Sequence, residues 1–204
     1  MKEPFNFRAA LARRLAGTLQ LDVPQLQQLE AHFQLLLRWN RRMNLTSIRN
    51  PEEIVVRHYC ESLFLSCHLP SGPARVADIG SGAGFPGVPM AIARPEVQVT
   101  LIESDRRKSV FLREATRGLP NTNVLNNRAS EVQGRFDWVV SRAVKPMEVL
   151  GEGLRLADRV AFLTSAAIAE ELKTSGRIRE LSTVPLPWGE RRVLLIAASV
   201  SRGT

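Results

Sequence analysis

At 204 residues, 44% of them apolar and 24% charged, the chain has the make-up of one domain with a small appendage. No window approaches the roughly 20 apolar residues of a membrane span. Lys and Arg number 28 against 20 Asp and Glu, a formal charge of +8 that suits a polyanionic partner such as RNA or DNA but would equally serve solubility.

Arginines interrupt the first twenty residues, MKEPFNFRAALARRLAGTLQ, where a secretion signal needs an apolar core, so a cytoplasmic protein is expected. Residues 1 to about 70 read as helices. From Asp22, with Pro24 in the first turn, the residues Leu26, Leu29, Phe33, Leu36, Leu37 and Asn40 keep to one helical face. That helix ends in a basic tip, RWNRRMN. A second helix is predicted from Asn50, with Pro51 in its first turn and Glu53 in capping-box position, running to about Cys67. On one helix Cys60 and Cys67 would stand about 10 Å apart along the axis, beyond disulfide reach. Neither they nor His58 and His68 show CxxC or HExxH spacing, so no metal site is expected.

The turn-rich HLPSGP, from His68 to Pro73, divides a helical segment, 1–70, from a second part, 71–204. Beyond it, short apolar runs alternate with helix-length stretches: RVADI (75–79), VQVTLIE (97–103), NVLNN (123–127), DWVVSRA (137–143) and RVAFLT (159–164). Such alternation predicts βαβ units and a mainly parallel α/β sheet. The last two runs, RIRELSTV and RRVLLIAAS, are separated only by PLPWGE, too short for a crossover helix, and are predicted to form an antiparallel hairpin.

The loop after the first strand, VADIGSGAGFPGVPM, fits two fingerprints. Gly80, Gly82 and Gly84 spell the GxGxG of many methyltransferases, and Gly82, Gly84 and Gly87 spell the dinucleotide GxGxxG. Asp78 lies where a carboxylate could brace the loop and hold a methionine-like amino group, and where it would repel a pyrophosphate. Glu103, at the end of the second strand, can accept from ribose hydroxyls in either class. Phe85, Pro86 and Pro89 suit a close apolar turn and make the GxGxxG reading look accidental. A single nucleotide-binding half closed by a hairpin is also the methyltransferase layout, so S-adenosylmethionine is the expected cofactor.

The end of the catalytic strand, SRAVKP from Ser141 to Pro146, lacks the Pro-Pro-aromatic signature of exocyclic amine methylation. Neither cysteine lies at the sheet edge where C5 methylation of a pyrimidine would need a nucleophile.

Five segments, RWNRRMNLTSIRNPEEIVVRHYCES, VADIGSGAGFPGVPMAI, LIESDRRKSVFLREA, NRASE and FDWVVSRA, together resemble the RsmG (GidB) family. These are bacterial methyltransferases of guanine N7 in 16S ribosomal RNA. The resemblance implies a seven-stranded Rossmann-like class I methyltransferase behind a helical N-terminal segment, acting on 16S rRNA or the small ribosomal subunit; a monomer is expected, though nothing in the sequence fixes the oligomeric state. It implies that Gly80, Gly82 and Phe85 contact the cofactor, that Ala129 and Ser130 lie near its adenine, and that Arg142 belongs to the SRA motif at the reaction centre. Asn44, His58 and Arg128 match polar positions around the substrate pocket, and Arg38, Arg41 and Arg42 become an RNA-facing patch.

Each of these residues has a plainer reading. His58 could be a packed histidine, Asn44 a helix end, and the three arginines a solvated tip. Where many members carry a lysine-glycine pair, this chain has Thr164 and Ser165, so a cation expected beside the pocket is missing. On that basis Thr164→Lys would improve substrate binding. The same loss motivates an alternative, a ribosome-assembly factor that binds RNA without turnover.

Overall fold

The computed structural model describes residues 5–142 and 146–200, so the middle of SRAVKP lies outside the described residues. Helix α1 (Phe7–Leu15) starts at Asn6, whose side chain accepts the Ala9 N–H. Helix α2 (Val23–Asn40) starts with a reciprocal box: Asp22 accepts the Gln25 N–H at 2.7 Å and Gln25 Oε1 accepts the Asp22 N–H at 3.0 Å. Two N–H groups that the first turn leaves without helical partners are thereby satisfied. The buried face of α2 is Leu29, His32, Phe33, Leu35, Leu36 and Asn40, with Leu26 and Leu37 only half-buried.

The helix predicted from Asn50 is a composite. An α-turn, α3 (Pro51–Ile54), passes into a π-helical segment (Val55–Cys60) and then into α4 (Glu61–His68). Asn50 caps the start by accepting the Glu53 N–H. The wider π-turn carries Arg57 and His58, and such interruptions concentrate at functional sites.

Seven strands follow in one sheet: β1 (Ala74–Ile79), β2 (Val97–Ile102), β3 (Thr122–Leu125), β4 (Trp138–Arg142), β5 (Arg159–Ser165), β6 (Ile178–Pro185) and β7 (Arg192–Ser199). Their spatial order is β3-β2-β1-β4-β5-β7-β6. The first five run parallel, and β7 lies antiparallel to both β5 and β6. The predicted hairpin therefore forms, with its second strand inserted beside β5. Helices α5 (Gly87–Ala93), α6 (Arg106–Ala115), α7 (Pro146–Leu156) and α8 (Ala166–Thr174) make the crossovers.

Alternation along the strands divides the interior into two layers. Val76, Val140, Leu163 and Leu194 face one layer, which is shared with Leu11, Phe33 and Leu65 of the N-terminal helices. Ala77, Val139, Phe162 and Leu195 face the other, beneath α7 and α8. One continuous core thus unites residues on both sides of the HLPSGP joint. Strand order reverses between β1 and β4, so their C-terminal ends open the crevice in which α/β sheets bind ligands.

Candidate active site

At that crevice the chain leaves β1 at Ile79 and turns through Gly80–Phe85. The turn is closed internally: Gly80 and Ser81 donate to Ile102 O at 2.9 and 3.2 Å, and Gly84 and Phe85 to Ser81 O at 2.7 and 3.1 Å. Gly84 has φ +89°, and a Cβ there would come within 2.7 Å of Val88 and 3.2 Å of His32. No other residue type fits that position without strain.

Asp78 is fully buried, and its Oδ2 accepts the Gly87 N–H at 3.0 Å. The N–H at the start of α5, where a dinucleotide fold would present a free donor to pyrophosphate, is already taken by a carboxylate. This geometry disfavours NAD independently of sequence. Gly87 has a packing role of its own, since a Cβ there would approach Leu101 to 2.3 Å and Asp78 Oδ2 to 2.7 Å. It is the close-packing glycine between α5 and the sheet. Burial pushes the Asp78 carboxyl up to about 7, against the opposing pull of the Gly87 N–H, and its Oδ1 has no partner among the described residues.

Glu103 follows β2 and is almost fully buried. Its Oε2 accepts the Gly82 N–H at 2.9 Å and its Oε1 the Asp105 N–H at 2.8 Å, which fixes the carboxylate and leaves one lone pair on each oxygen. The turn Ala129–Glu131 stands beyond β3, with Ser130 exposed. Arg155 of α7 pins it by donating to Ala129 O and Val132 O.

The N-terminal helices supply the rear wall. His32 Nε2 lies 3.1 Å from Ala83 O, which can only accept, so Nε2 carries the proton and Nδ1 accepts from the Tyr59 hydroxyl at 2.8 Å. His32 thereby ties α2 and the π-segment to the glycine loop. Burial lowers its pKa to about 4.

The remaining wall is built around Phe85. His58 stacks on that ring with centroids 4.7 Å apart, and the Arg142 guanidinium lies 5.6 Å from its centre. His58 Nε2 meets the Thr46 hydroxyl at 2.8 Å, and its Nδ1 has no partner among the described residues. Burial, reinforced by the nearby Arg142 charge, pushes His58 down to about 2. It is a neutral ring with one uncommitted nitrogen, unable to carry a proton near neutral pH.

Arg142 ends β4 and donates to Arg57 O. Behind it, the buried Glu61 is held by Arg57, at 3.2 Å, and by Arg192 of β7, at 2.7 Å. Two guanidiniums thus share one carboxylate, with that of Arg142 close enough to feel its charge. Burial lowers the Arg142 pKa to about 10, opposed by Glu61 and deepened by Arg192 and Arg57. Arginine remains charged under these conditions, so the pocket carries a net positive potential suited to an anion or an electronegative ring atom.

This network corrects the expectation drawn from Thr164. That residue is 4% exposed and alternates with Val160 and Phe162, which face the α7/α8 layer. A lysine there would have to bury its ammonium. Arg192, opposite Ser165 in register, shares the face of Leu194 and Ile196 and brings its guanidinium to Glu61. The pocket is therefore not short of cations.

Of the other sequence-predicted residues, Asn44 is exposed on the loop after α2, and Thr46 is the residue of that loop that reaches His58. Asn40 shapes the loop, accepting the Leu45 and Thr46 N–H groups and donating to Thr46 O. Arg38, Arg41 and Arg42 line an open groove at the end of α2, and Arg128 lines a separate polar groove with Ser104 and Asn127. His32, Glu61, Arg57 and Arg192 were not anticipated as site residues. The only sequence signal for Arg57 and Glu61 was their i,i+4 spacing, and for Arg192 there was none.

The buried groups set an acid limit on stability. Between pH 4 and 6.5 the unfolded chain protonates His32 and His58, which stay neutral when folded, while folded Asp78 keeps a proton that the unfolded chain loses. Two protons minus one leaves one extra proton on the unfolded state, so stability should fall by about 1.4 kcal/mol per unit as pH drops through this window. In His32→Gln the two remaining groups cancel. Urea titrations at several pH values should show the slope in the native protein and a flat profile in the variant; equal slopes would contradict these assignments.

Fold and crevice together define a class I S-adenosylmethionine-dependent methyltransferase. An S-adenosylmethionine-dependent methyltransferase from Aquifex aeolicus has the same architecture, with a TM-score of 0.62 at 16% identity over 77% of this chain and 97% of that one. A predicted O-methyltransferase from Agrobacterium tumefaciens aligns with a TM-score of 0.55 at 20% identity, over 70% and 81% of the two chains. At such identities the likeness speaks for fold alone. Residues 25–175 match the model of the GidB family, rRNA small subunit methyltransferase G, and the chain belongs to that family. Ribosomal RNA small subunit methyltransferase G of Halorhodospira halophila is 42% identical over 88% of this chain and 90% of its own length. Its namesake from Nitrosomonas europaea is 47% identical over 57% of this chain and 56% of its own, and that of Roseiflexus sp. 36% identical over 91% and 88%.

Proposed function

We propose that the protein transfers the methyl group of S-adenosylmethionine to N7 of a guanine in 16S ribosomal RNA, acting as a monomer in the cytoplasm. The observation that carries this reading is the chemistry of the pocket. It presents aromatic rings and cations, its histidine His58 is kept neutral by burial with a pKa of about 2 and so is a poor base, and Asp78, pushed up to about 7, is given to the cofactor side. Guanine N7 needs no base, since it offers an in-plane lone pair.

The residues present fit the cofactor. The unpartnered Asp78 Oδ1 suits an α-ammonium, the two free lone pairs of Glu103 suit ribose hydroxyls, and Gly82, where a Cβ would meet nothing nearer than Gly80 O at 3.7 Å, leaves room beside them; Gly80 is proposed to border the cofactor with it. Ala129 and Ser130 would border the adenine. When bound, S-adenosylmethionine supplies an electrophilic sulfonium methyl. The chain's part is then orientation, which can carry much of the rate. Phe85, with His58 stacked on it, forms the packed wall against which the base would be oriented. Methylation makes the ring cationic, so Arg142 serves the reaction by binding guanine O6 or the cofactor carboxylate, away from N7.

In this reading residues 71–204 form the methyltransferase domain, and residues 1–70 form the helical segment that closes the rear of the pocket through His58 and His32, with Asn44 on the exposed loop beside it. Arg38, Arg41, Arg42 and Arg128 hold RNA phosphates. The test is transfer of label from S-adenosylmethionine to small subunits and to deproteinised rRNA, with Arg142→Ala as control. Label in RNA from the native protein, reduced at least a hundredfold in the variant, is expected on the scale of a lost transition-state contact. Cofactor binding with no transfer to either substrate would instead favour the assembly-factor alternative.

A further inference from the structure

Beyond the crevice, the tip of α2 and the first turns of α6 enclose an open groove of about 710 Å³. Arg38, Arg41 and Arg42 come from α2 and Arg107 from α6, and none of the four side chains has an ion pair or hydrogen bond among the described residues. Between the cations the surface is apolar, formed by Trp39, Met43 and Val110. Trp39 is half-buried, and its ring is held edge-on against Phe111, with centroids 5.6 Å apart at 69°. Val110 is 46% exposed and carries the apolar surface of the groove out to solvent.

We infer that this groove binds single-stranded RNA next to the reacting nucleotide, with a base packed on Trp39 and Val110 and flanking phosphates on the four arginines. The inference rests on the proposed RNA substrate and adds a second site to it. Four cations without carboxylate partners among the described residues favour an anionic occupant. The apolar floor and the indole held between them favour one that also presents a flat apolar face. Unpaired nucleotides do both, whereas a duplex hides its bases in the stack and an acidic peptide offers charge without the flat faces. The position is also right: α6 is capped by Asp105, two residues after Glu103, so the groove adjoins the cofactor side of the crevice.

The test uses the full chain and three probes: a short labelled single-stranded RNA, a duplex of the same sequence, and polyglutamate as competitor. The single strand should bind tightest. Trp39→Leu should weaken it roughly tenfold without altering the salt slope, because stacking releases no counterions. Arg107→Gln should lower that slope by about 0.7, the contribution of one phosphate contact on a single strand. Val110→Asp lies on the surface and places a negative charge in the groove, so it should weaken RNA while S-adenosylhomocysteine binding stays unchanged; it decides the matter if Trp39→Leu does not fold. Preference for duplex, competition by polyglutamate as strong as by RNA, or unaltered RNA affinity in Val110→Asp would overturn the inference. Methylation of small subunits by the native protein separates the two claims: normal transfer with unaltered Val110→Asp affinity removes the groove alone, and single-strand binding sensitive to Val110→Asp without any transfer supports the groove and removes the enzyme reading.

Discussion

Glu61→Gln is expected to be among the most damaging single substitutions in the molecule. Glu61 is 1% exposed and pairs with two of the three guanidiniums around it, Arg57 at 3.2 Å and Arg192 at 2.7 Å. Glutamine keeps the shape and one acceptor but leaves Arg57, Arg142 and Arg192 in mutual repulsion within a poorly solvated space. Removing one partner of a buried pair costs about 3 kcal/mol or more, and partial exposure of Arg57 keeps this case at the lower end. For a chain of this size that corresponds to a fall in Tm of roughly 6–12 °C. Because the damage comes from unbalanced charge, adding Arg192→Gln to the variant should restore part of the loss. A calorimetric double-mutant cycle checks both statements. An unchanged Tm in Glu61→Gln, or strictly additive losses in the double variant, would mean that Glu61 does not hold this cluster together.

The second large effect concerns Asp78. Its carboxyl, pushed up to about 7 by burial, is half protonated at neutral pH in the free protein. The proposed cofactor contact needs the ionised form, since Oδ1 faces an α-ammonium. Cofactor binding should therefore release a proton below pH 7, with affinity falling up to tenfold per unit as pH drops from 7 towards 5. Asp78→Asn retains an acceptor for the Gly87 N–H but never ionises. Affinity at pH 8 should fall roughly ten- to hundredfold, the scale of a charge-assisted hydrogen bond, and the dependence between pH 5 and 7 should disappear. Isothermal titration with S-adenosylhomocysteine in buffers of different ionisation enthalpy reads both quantities. A variant with the same pH slope as the native protein would assign the proton to another group.

Much of this architecture was legible in the sequence because its signals are local. The seven strands lie within a residue or two of the apolar runs that predicted them, since burial of a parallel sheet on both faces demands continuous apolar segments. The hairpin followed from the shortness of PLPWGE, and Asp78, Phe85, Glu103 and Arg142 fell at strand ends that topology brings to one crevice. What escaped notice depends on distant partners. His32 interrupts an apolar face and reads as an irregularity until Ala83 and Tyr59 close around it, 51 and 27 residues away. Arg192 meets Glu61 across 131 residues, so the cation it brings near the crevice could not be seen from Thr164 alone. The π-segment leaves no signature, because VVRHYC satisfies a helical pattern of either pitch. The packing role of Gly87 is hidden for a related reason: it is set by Leu101, on a neighbouring strand.

The most direct measurement is the identity of the methylated nucleoside. Small subunits from cells lacking the modification, incubated with the protein and S-adenosylmethionine, should yield a single new methylated nucleoside on digestion and mass spectrometry. Borohydride-aniline cleavage should place it at one guanine of 16S rRNA, as expected for an N7-methylated, cationic ring. Its formation under single-turnover conditions, with cofactor and subunits saturating, should vary little with pH between 6 and 9, since no residue of the pocket transfers a proton. A methyl group on an exocyclic amine, a ribose or a pyrimidine carbon, or a rate governed by a group titrating near 7 at saturation, would contradict the account.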